Sequence, residues 1–365
     1  MSLPDVRSFR ARLLAWFDRY RRDLPWRRYA DPYRIWVAEV MLQQTRVDTV
    51  CTYYPRFIRR FPTVETLARA SLDEVLRYWQ GLGYYRRAVH LHAAARKIVC
   101  NGPVEWPRTV ADWQMLPGVG PYMARAIVSM AFAVPVGVVD GNVRRVLTRL
   151  TSARDPRPGQ LQAWADTLVD PSRPGDFNQA MMELGATICP PRQPDCAACP
   201  VRVFCRAYAT GTPERVPVSR KRTPQRVEHW WVLGIESDDR WLLGRRHAGL
   251  LQHMWLLPMW PASAGRSVRA LRAQCPLLRD LPDRSLVRLP QIRHAFTHRV
   301  WIMDPVYVRW IAAEPMDQWD IPEVPDTDTW QWVHRSELAR FPIPRAHRKV
   351  LETMYHLRDG VFRLG

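Results

Sequence analysis

No apolar run in this 365-residue sequence approaches the roughly 20 residues that a membrane-spanning helix needs. The first 30 residues mix Arg7, Arg10 and Arg12 with Asp5, Asp18 and Asp23 and hold no apolar stretch of signal-peptide type. Export and a membrane role are therefore not expected. Internal repeats and low-complexity tracts are lacking too, as is a long heptad seam, so a monomer is the simplest expectation. Lysine is scarce: among 54 basic residues only Lys97, Lys221 and Lys349 are lysines, a bias that carries no functional reading.

What the sequence has in excess is positive charge. The 54 basic residues face 35 acidic ones, and the pI is near 10.3. The excess is uneven, with a net charge of +16 over residues 1–226 and +3 over residues 227–365. Such an N-terminal half points to a polyanionic partner, nucleic acid first. A hydrophobic fraction of 47% with 17 tryptophans excludes a disordered chain, and the length suits two domains.

Hydrophobic spacing makes the N-terminal half all-α. Phe9, Leu13, Trp16 and Phe17 predict a helix over 8–20, and Ile35, Trp36, Val40 and Met41 another over 32–45. Ser71 and Glu74 form a capping-box pattern ahead of Val75, Leu76 and Trp79, with Gly81 placed to stop that helix. Asp140 precedes a stripe of Val143, Val146, Leu147 and Leu150. From Thr212 to Arg226 the chain is rich in proline and arginine, which fits a linker. Beyond it, Trp230–Glu236 and Arg240–Arg245 flank Ser-Asp-Asp as a hairpin. Strands at Val306–Ile311 and Trp330–Val333 and a closing helix at Ala346–His356 predict a second, α/β domain.

Four of seven cysteines, Cys189, Cys196, Cys199 and Cys205, fall within 17 residues in the spacing C-x6-C-x2-C-x5-C. A disulfide pair does not suit a chain without an export signal, and a redox pair at Cys196 and Cys199 would leave two thiols unexplained. Ligation of a [4Fe–4S] cluster uses all four, and structural zinc stays open beside it. Cys51, Cys100 and Cys275 stand alone and are expected to be buried packing residues.

Leu116-Pro117-Gly118-Val119-Gly120 separates two short helices, at about 109–115 and 121–133. Two glycines in five residues allow a tight turn whose N–H groups can approach a phosphate at a helix N-terminus. In a basic domain this reads as a helix–hairpin–helix that grips DNA backbone through Gly118, Val119 and Gly120 without reading sequence. Glu39 lies between Ile35 and Leu42 on an apolar helix face, where burial would raise its pKa and favour a proton-donating form. Asp140, by its position alone, is a helix N-cap.

The runs Trp36–Thr45, Gly81–Tyr85, Leu116–Gly120 and Val139–Asn142 and the four-cysteine loop occur in order. Together they resemble the adenine DNA glycosylases of the MutY family, within the helix–hairpin–helix glycosylase superfamily. The resemblance implies excision of adenine mispaired with 8-oxoguanine or guanine in double-stranded DNA. By that resemblance Glu39 is the general acid, Asp140 stabilises an oxocarbenium-like sugar and Asn142 positions it. It also implies that Gln44 and Tyr84 wedge the duplex beside the lesion, and that Arg22, Leu24, Trp26 and Gln179 line the adenine pocket. Tyr122 stands where endonuclease III-like relatives carry the imine-forming lysine, so a monofunctional enzyme is expected.

The resemblance assigns the four cysteines to a [4Fe–4S] cluster that organises a basic loop bearing Arg192, Arg202 and Arg206. It extends to a Nudix-like C-terminal module, but the candidate Nudix helix Arg266–Ala273 contains no acidic residue, so no pyrophosphatase activity is expected. Phe296-Thr297-His298 is similar to the family's Phe-Ser-His loop that senses 8-oxoguanine. The reading is thus a helix–hairpin–helix glycosylase domain over 1–211, a linker over 212–227 and a Nudix-like domain over 228–365, at work in a bacterial cytoplasm. An endonuclease III-like glycosylase/lyase and a noncatalytic DNA-binding protein are the competing readings.

Overall fold

The computed structural model describes residues 5–361 apart from 101, 218–223, 263, 264, 266, 276, 277, 279, 280, 282–284, 310–323 and 325. The chain forms two compact units, Met1–Arg69 with His90–Lys221 and Ala70–Val89 with Arg222–Gly365. Twelve helices precede the first strand among the described residues. They are α1 (Val6–Tyr20), α2 (Pro32–Leu42), α3 (Val47–Arg60), α4 (Val64–Arg69), α5 (Leu72–Trp79) and α6 (Arg86–Val99). After them come α7 (Val110–Gln114), α8 (Pro121–Phe132), α9 (Gly141–Thr151), α10 (Pro158–Leu168), α11 (Pro174–Thr187) and α12 (Arg206–Ala209).

Amphipathic spacing decides which faces turn inward. Phe9, Leu13 and Phe17 of α1 are buried against Val143, Leu147 and Leu150 of α9 and Phe177, Met181 and Leu184 of α11. Helix α11 packs against α1, α8 and α9, and α2 packs on α8. Helix α2 ends at Leu42, three residues short of the sequence expectation. Gln43 already leaves the helical region at φ −58° and ψ 116°, and Gln44 follows in a left-handed conformation at φ +58°. The cap at Ser71 forms as expected, accepting from the Glu74 N–H at 3.2 Å.

The second unit carries a mixed sheet of β1 (Arg226–Ser237), β2 (Arg240–Arg246), β3 (Trp255–Leu256), β4 (Met259–Pro261), β5 (Leu286–Arg288), β6 (Ile292–Ala295), β7 (Arg299–Arg309) and β8 (Thr327–His334). Its order is β3-β2-β1-β7-β5, with β4 paired to β1, β6 to β7 and β8 to β2. Strand β1 runs parallel to β7 from Arg226↔Arg299 to Glu236↔Arg309. From Trp231 to Ser237 every residue of β1 is buried, as a strand covered on both faces requires. Asp238 and Asp239, both at positive φ, turn β1 into β2 at the predicted hairpin. Helices α13 (Val268–Gln274) and α14 (Arg345–Val361) complete the α/β unit.

The strand expected at Val306–Ile311 is the far half of a longer β7, and Ile311 lies outside the described residues, as do Arg266 and linker residues 218–223. The three lone cysteines do not share one environment. Cys275 is buried and Cys51 half-buried, but Cys100, just past the C-terminus of α6, is exposed, contrary to expectation.

Candidate active site

Glu39 lies on α2 with only 5% of its surface exposed. Desolvation pushes its carboxyl up to about 7, and the nearby Asp140 adds to the rise. Tyr122, in the first turn of α8, donates its hydroxyl to Glu39 Oε2 at 2.8 Å and pulls the other way. Asp140 does cap α9, accepting from the Val143 N–H at 2.7 Å and from Asn142 Nδ2 at 2.9 Å. Burial raises its pKa, and those donors oppose the rise by holding the anion. Glu39, Tyr122, Asp140 and Asn142 line one cavity of about 320 Å³.

The sequence-predicted residues Arg22, Leu24, Trp26, Gln44 and Gln179 line that same cavity. Two partners there were missed by sequence reasoning, Arg27 and Glu183. Glu183 is 1% exposed and accepts from Arg22 Nε at 2.6 Å, Arg22 Nη2 at 2.9 Å and Arg27 Nη2 at 2.8 Å. Burial would raise its pKa, but the two guanidiniums outweigh burial and hold it below the usual value. The available signal was spacing: Glu183 follows Gln179 by four residues on α11 and so shares its helix face.

Close helix packing sets Asn142. A Cβ on Gly185 of α11 would stand 2.6 Å from Asn142 Cβ, so only glycine lets α9 approach this far. Arg145 then donates to Asn142 Oδ1 at 2.9 Å, to the Gly185 carbonyl at 2.6 Å and to the Cys189 carbonyl at 2.7 Å.

In the Leu116–Gly120 turn, the Val119 N–H bonds the Leu116 carbonyl at 3.2 Å. Gly118 adopts φ +77°, and a Cβ there would meet His90 Cβ at 2.6 Å. Gly120 opens α8 with no side-chain cap, which suits backbone contact with an anion. Further along the unit, Cys189, Cys196, Cys199 and Cys205 line a single pocket together with Arg149 and Pro213. Among the described residues, no group of three His, Cys, Asp or Glu side chains is arranged for one metal ion. Arg192 and Arg202 beside it are exposed.

Tyr84 and the Phe296–His298 loop belong to the second unit. Tyr84, like Gln44, is an exposed non-glycine residue at positive φ, here +48°. Its hydroxyl is hydrogen-bonded to the Thr297 hydroxyl. Phe296–His298 turns β6 into β7, with the Phe296 ring edge-on to His294 and Trp301 at 4.7 and 4.9 Å. Thr297 and His298 are exposed.

Two family models match the chain: HhH-GPD superfamily base excision DNA repair protein over residues 37–171 and NUDIX domain over residues 230–353. The chain is 51% identical to the adenine DNA glycosylase of Homo sapiens, over 81% of this chain and 66% of that protein, just under two thirds of its length. It is 38% identical to the adenine DNA glycosylase of Rattus norvegicus, over 98% of this chain and 80% of the relative. A solved thermostable thymine-DNA glycosylase superposes with a TM-score of 0.53 at 30% identity, over 56% of this chain and 97% of that one. In the described residues no helix is long and apolar enough to cross a membrane. With two domain models matched in order and identity sustained along nearly the whole chain, the chain belongs to the adenine DNA glycosylase family.

Proposed function

We propose that this chain is a monofunctional glycosylase that hydrolyses the N-glycosidic bond of adenine mispaired with 8-oxoguanine or guanine in duplex DNA. The observation that carries the reading is Glu39, a buried carboxyl pushed up to about 7 that faces the same cavity as Asp140. A neutral carboxylic acid at physiological pH can give its proton to a ring nitrogen of the extruded adenine. The C–N bond then breaks with its electron pair leaving on the base. Asp140, held as an anion by the Val143 N–H and Asn142, stabilises the positive sugar. Water adds to the sugar, and the Glu39 carboxylate takes up the proton that this addition releases, which restores the acid.

Tyr122 supplies no amine for an imine, so strand cleavage is not part of this chemistry. Glu183, Arg22 and Arg27 give the cavity a fixed polar wall, and Leu24 and Trp26 an apolar one. Gln44 and Tyr84 are assigned to the gap left by the extruded base, and Gly118–Gly120 to the phosphate backbone. Phe296, Thr297 and His298 are assigned to the base opposite adenine. The working division is a glycosylase domain over 1–211, a linker over 212–227 and a recognition domain over 228–365. The enzyme is read as a monomer of the bacterial cytoplasm, acting on nucleoid DNA.

We assign a [4Fe–4S] cluster to Cys189, Cys196, Cys199 and Cys205. The donor set fits: four thiols and no histidine line that pocket, and the one carboxylate there, Asp195, is engaged by the Ala198 N–H at 3.1 Å. When bound, the cluster supplies structural cross-linking of the basic loop, not a step in base excision.

The test is a pair of variants, Glu39→Gln and Asp140→Asn, assayed for binding and for excision on an 8-oxoguanine:adenine duplex. Retained binding with excision lowered by about 10³-fold or more supports the reading. Full excision by either variant overturns the mechanism.

A further inference from the structure

Arg149 is an arginine that the excision chemistry does not use, yet it is 2% exposed and has all three guanidinium nitrogens engaged. From α9 its Nη1 donates to Cys189 Sγ at 3.1 Å, to the Cys189 carbonyl at 3.3 Å and to the Pro190 carbonyl at 2.7 Å. Its Nη2 donates to the Pro191 carbonyl at 3.0 Å. Its Nε points elsewhere, to the carbonyl of Val216 at 2.9 Å. Val216 is buried in the first unit, ten residues before β1 begins at Arg226.

Two further ties join the same segments. The Gln193 N–H donates to Glu214 Oε1 at 3.1 Å, and Pro213 lines the thiol pocket. The stretch 212–216 is thereby fastened to the thiol loop rather than to the helical core alone. A planar guanidinium suits this task because its donors diverge in a fixed fork, whereas an ammonium offers one point charge.

We propose that Arg149 is a positioning residue that makes the cysteine loop and the start of the interdomain linker one mechanical unit. The group held by the four cysteines then sets whether Val216 stays anchored. With the loop in place, Val216 is held by the Nε bond of Arg149. Without it, Val216 loses its anchor and the 212–216 stretch is released from the thiol loop. The inference rests on the reading that these cysteines bind an iron–sulfur cluster.

Trypsin reports this anchor directly. Arg215 is exposed but Val216 is buried, so cleavage of the Arg215–Val216 bond requires Val216 to leave its site. Full-length wild type, Arg149→Lys and Arg149→Met are first assayed for iron, sulfide and the reduction potential of the cluster. Cleavage at Arg215–Val216 is then followed by mass spectrometry, in loaded protein and in wild type stripped by a chelator. Loss of the Nε bond is expected to speed that cleavage about tenfold in Arg149→Met, with Arg149→Lys in between. Stripping the wild type is expected to speed it by a similar factor. Loss of the N–H···S bond is expected to shift the potential to more negative values in any variant that keeps its cluster.

Wild type without iron and sulfide would overturn the cluster reading. A loaded Arg149→Met with wild-type potential and wild-type cleavage would overturn the role of Arg149 alone. If Arg149→Met does not fold, the loaded and stripped wild type decide the matter. Equal cleavage of the two at Arg215–Val216 overturns the proposal.

Discussion

The hydroxyl of Tyr122 donates to the carboxyl of Glu39 across 2.8 Å, inside the cavity that also holds Asp140. A donor to a carboxylate favours its ionised form, so this bond restrains a pKa that burial drives upward. Single-turnover excision should therefore need protonated Glu39 and fall about tenfold per pH unit above a value near 7. In Tyr122→Phe the falling limb should move to higher pH. A limb that stays in place or moves down would show that this bond does not tune the acid.

The same carboxyl makes stability depend on pH. Its unfolded value is near 4.5 and its folded value near 7, so the native state holds the proton more tightly. The cost of burying Glu39 is absent below pH 4.5, grows between pH 4.5 and 7, and levels off above, at about 3 kcal/mol at most. Glu39→Gln, neutral at every pH, should gain stability over wild type through that window. Parallel denaturant titrations at pH 4.5 and pH 8 check this. An unchanged difference would mean that Glu39 titrates normally.

Glu183 works in the opposite direction. Its folded pKa is depressed, so its contribution is complete above the ordinary carboxylate range and is lost as pH falls through and below it. Glu183→Gln should cost about 3 kcal/mol at neutral pH, because Arg27 keeps its charge with little exposure to water. The penalty should shrink toward pH 3, measured by chemical denaturation.

Gly185→Ala tests the fit of α9 on α11. The new methyl would press on Asn142 at 2.6 Å, and displacement of a residue beside Asp140 by even 1 Å should lower single-turnover excision by about 100-fold. Gly159→Ala, whose added Cβ would meet nothing within 4 Å, is the matched control and should be as active as wild type. Equal activity in both variants would remove Asn142 from the account.

Much of this site is legible in the sequence because the chemistry and the local structure share a signal. The capping position of Asp140 marks only the fold element, and its expected role comes from the resemblance. The apolar neighbours of Glu39 and the two glycines around Val119 each mark both a fold element and an expected role. The four-cysteine spacing is legible for the same reason, since thiols so close together require a common use. Residues whose role is made only by tertiary contact stay hidden. Glu183 and Arg27 are 156 residues apart, and nothing local pairs them. Arg149 looks like any surface arginine on a helix until the Cys189 loop and Val216 close over it. Gln44 reads as a helix residue because hydrophobic spacing runs up to it, whereas the extended ψ of Gln43 ends α2 and Gln44 follows, exposed, in a left-handed conformation.

The central claim is adenine excision without strand cleavage, and one experiment addresses it. A single-turnover time course on an 8-oxoguanine:adenine duplex is divided between alkaline and neutral workup, with a borohydride trap in parallel. The account predicts strand breaks at adenine only after alkali and no trapped imine. Breaks at neutral pH with a covalent protein–DNA adduct after borohydride, or no excision by cluster-loaded protein that binds the duplex, would contradict it.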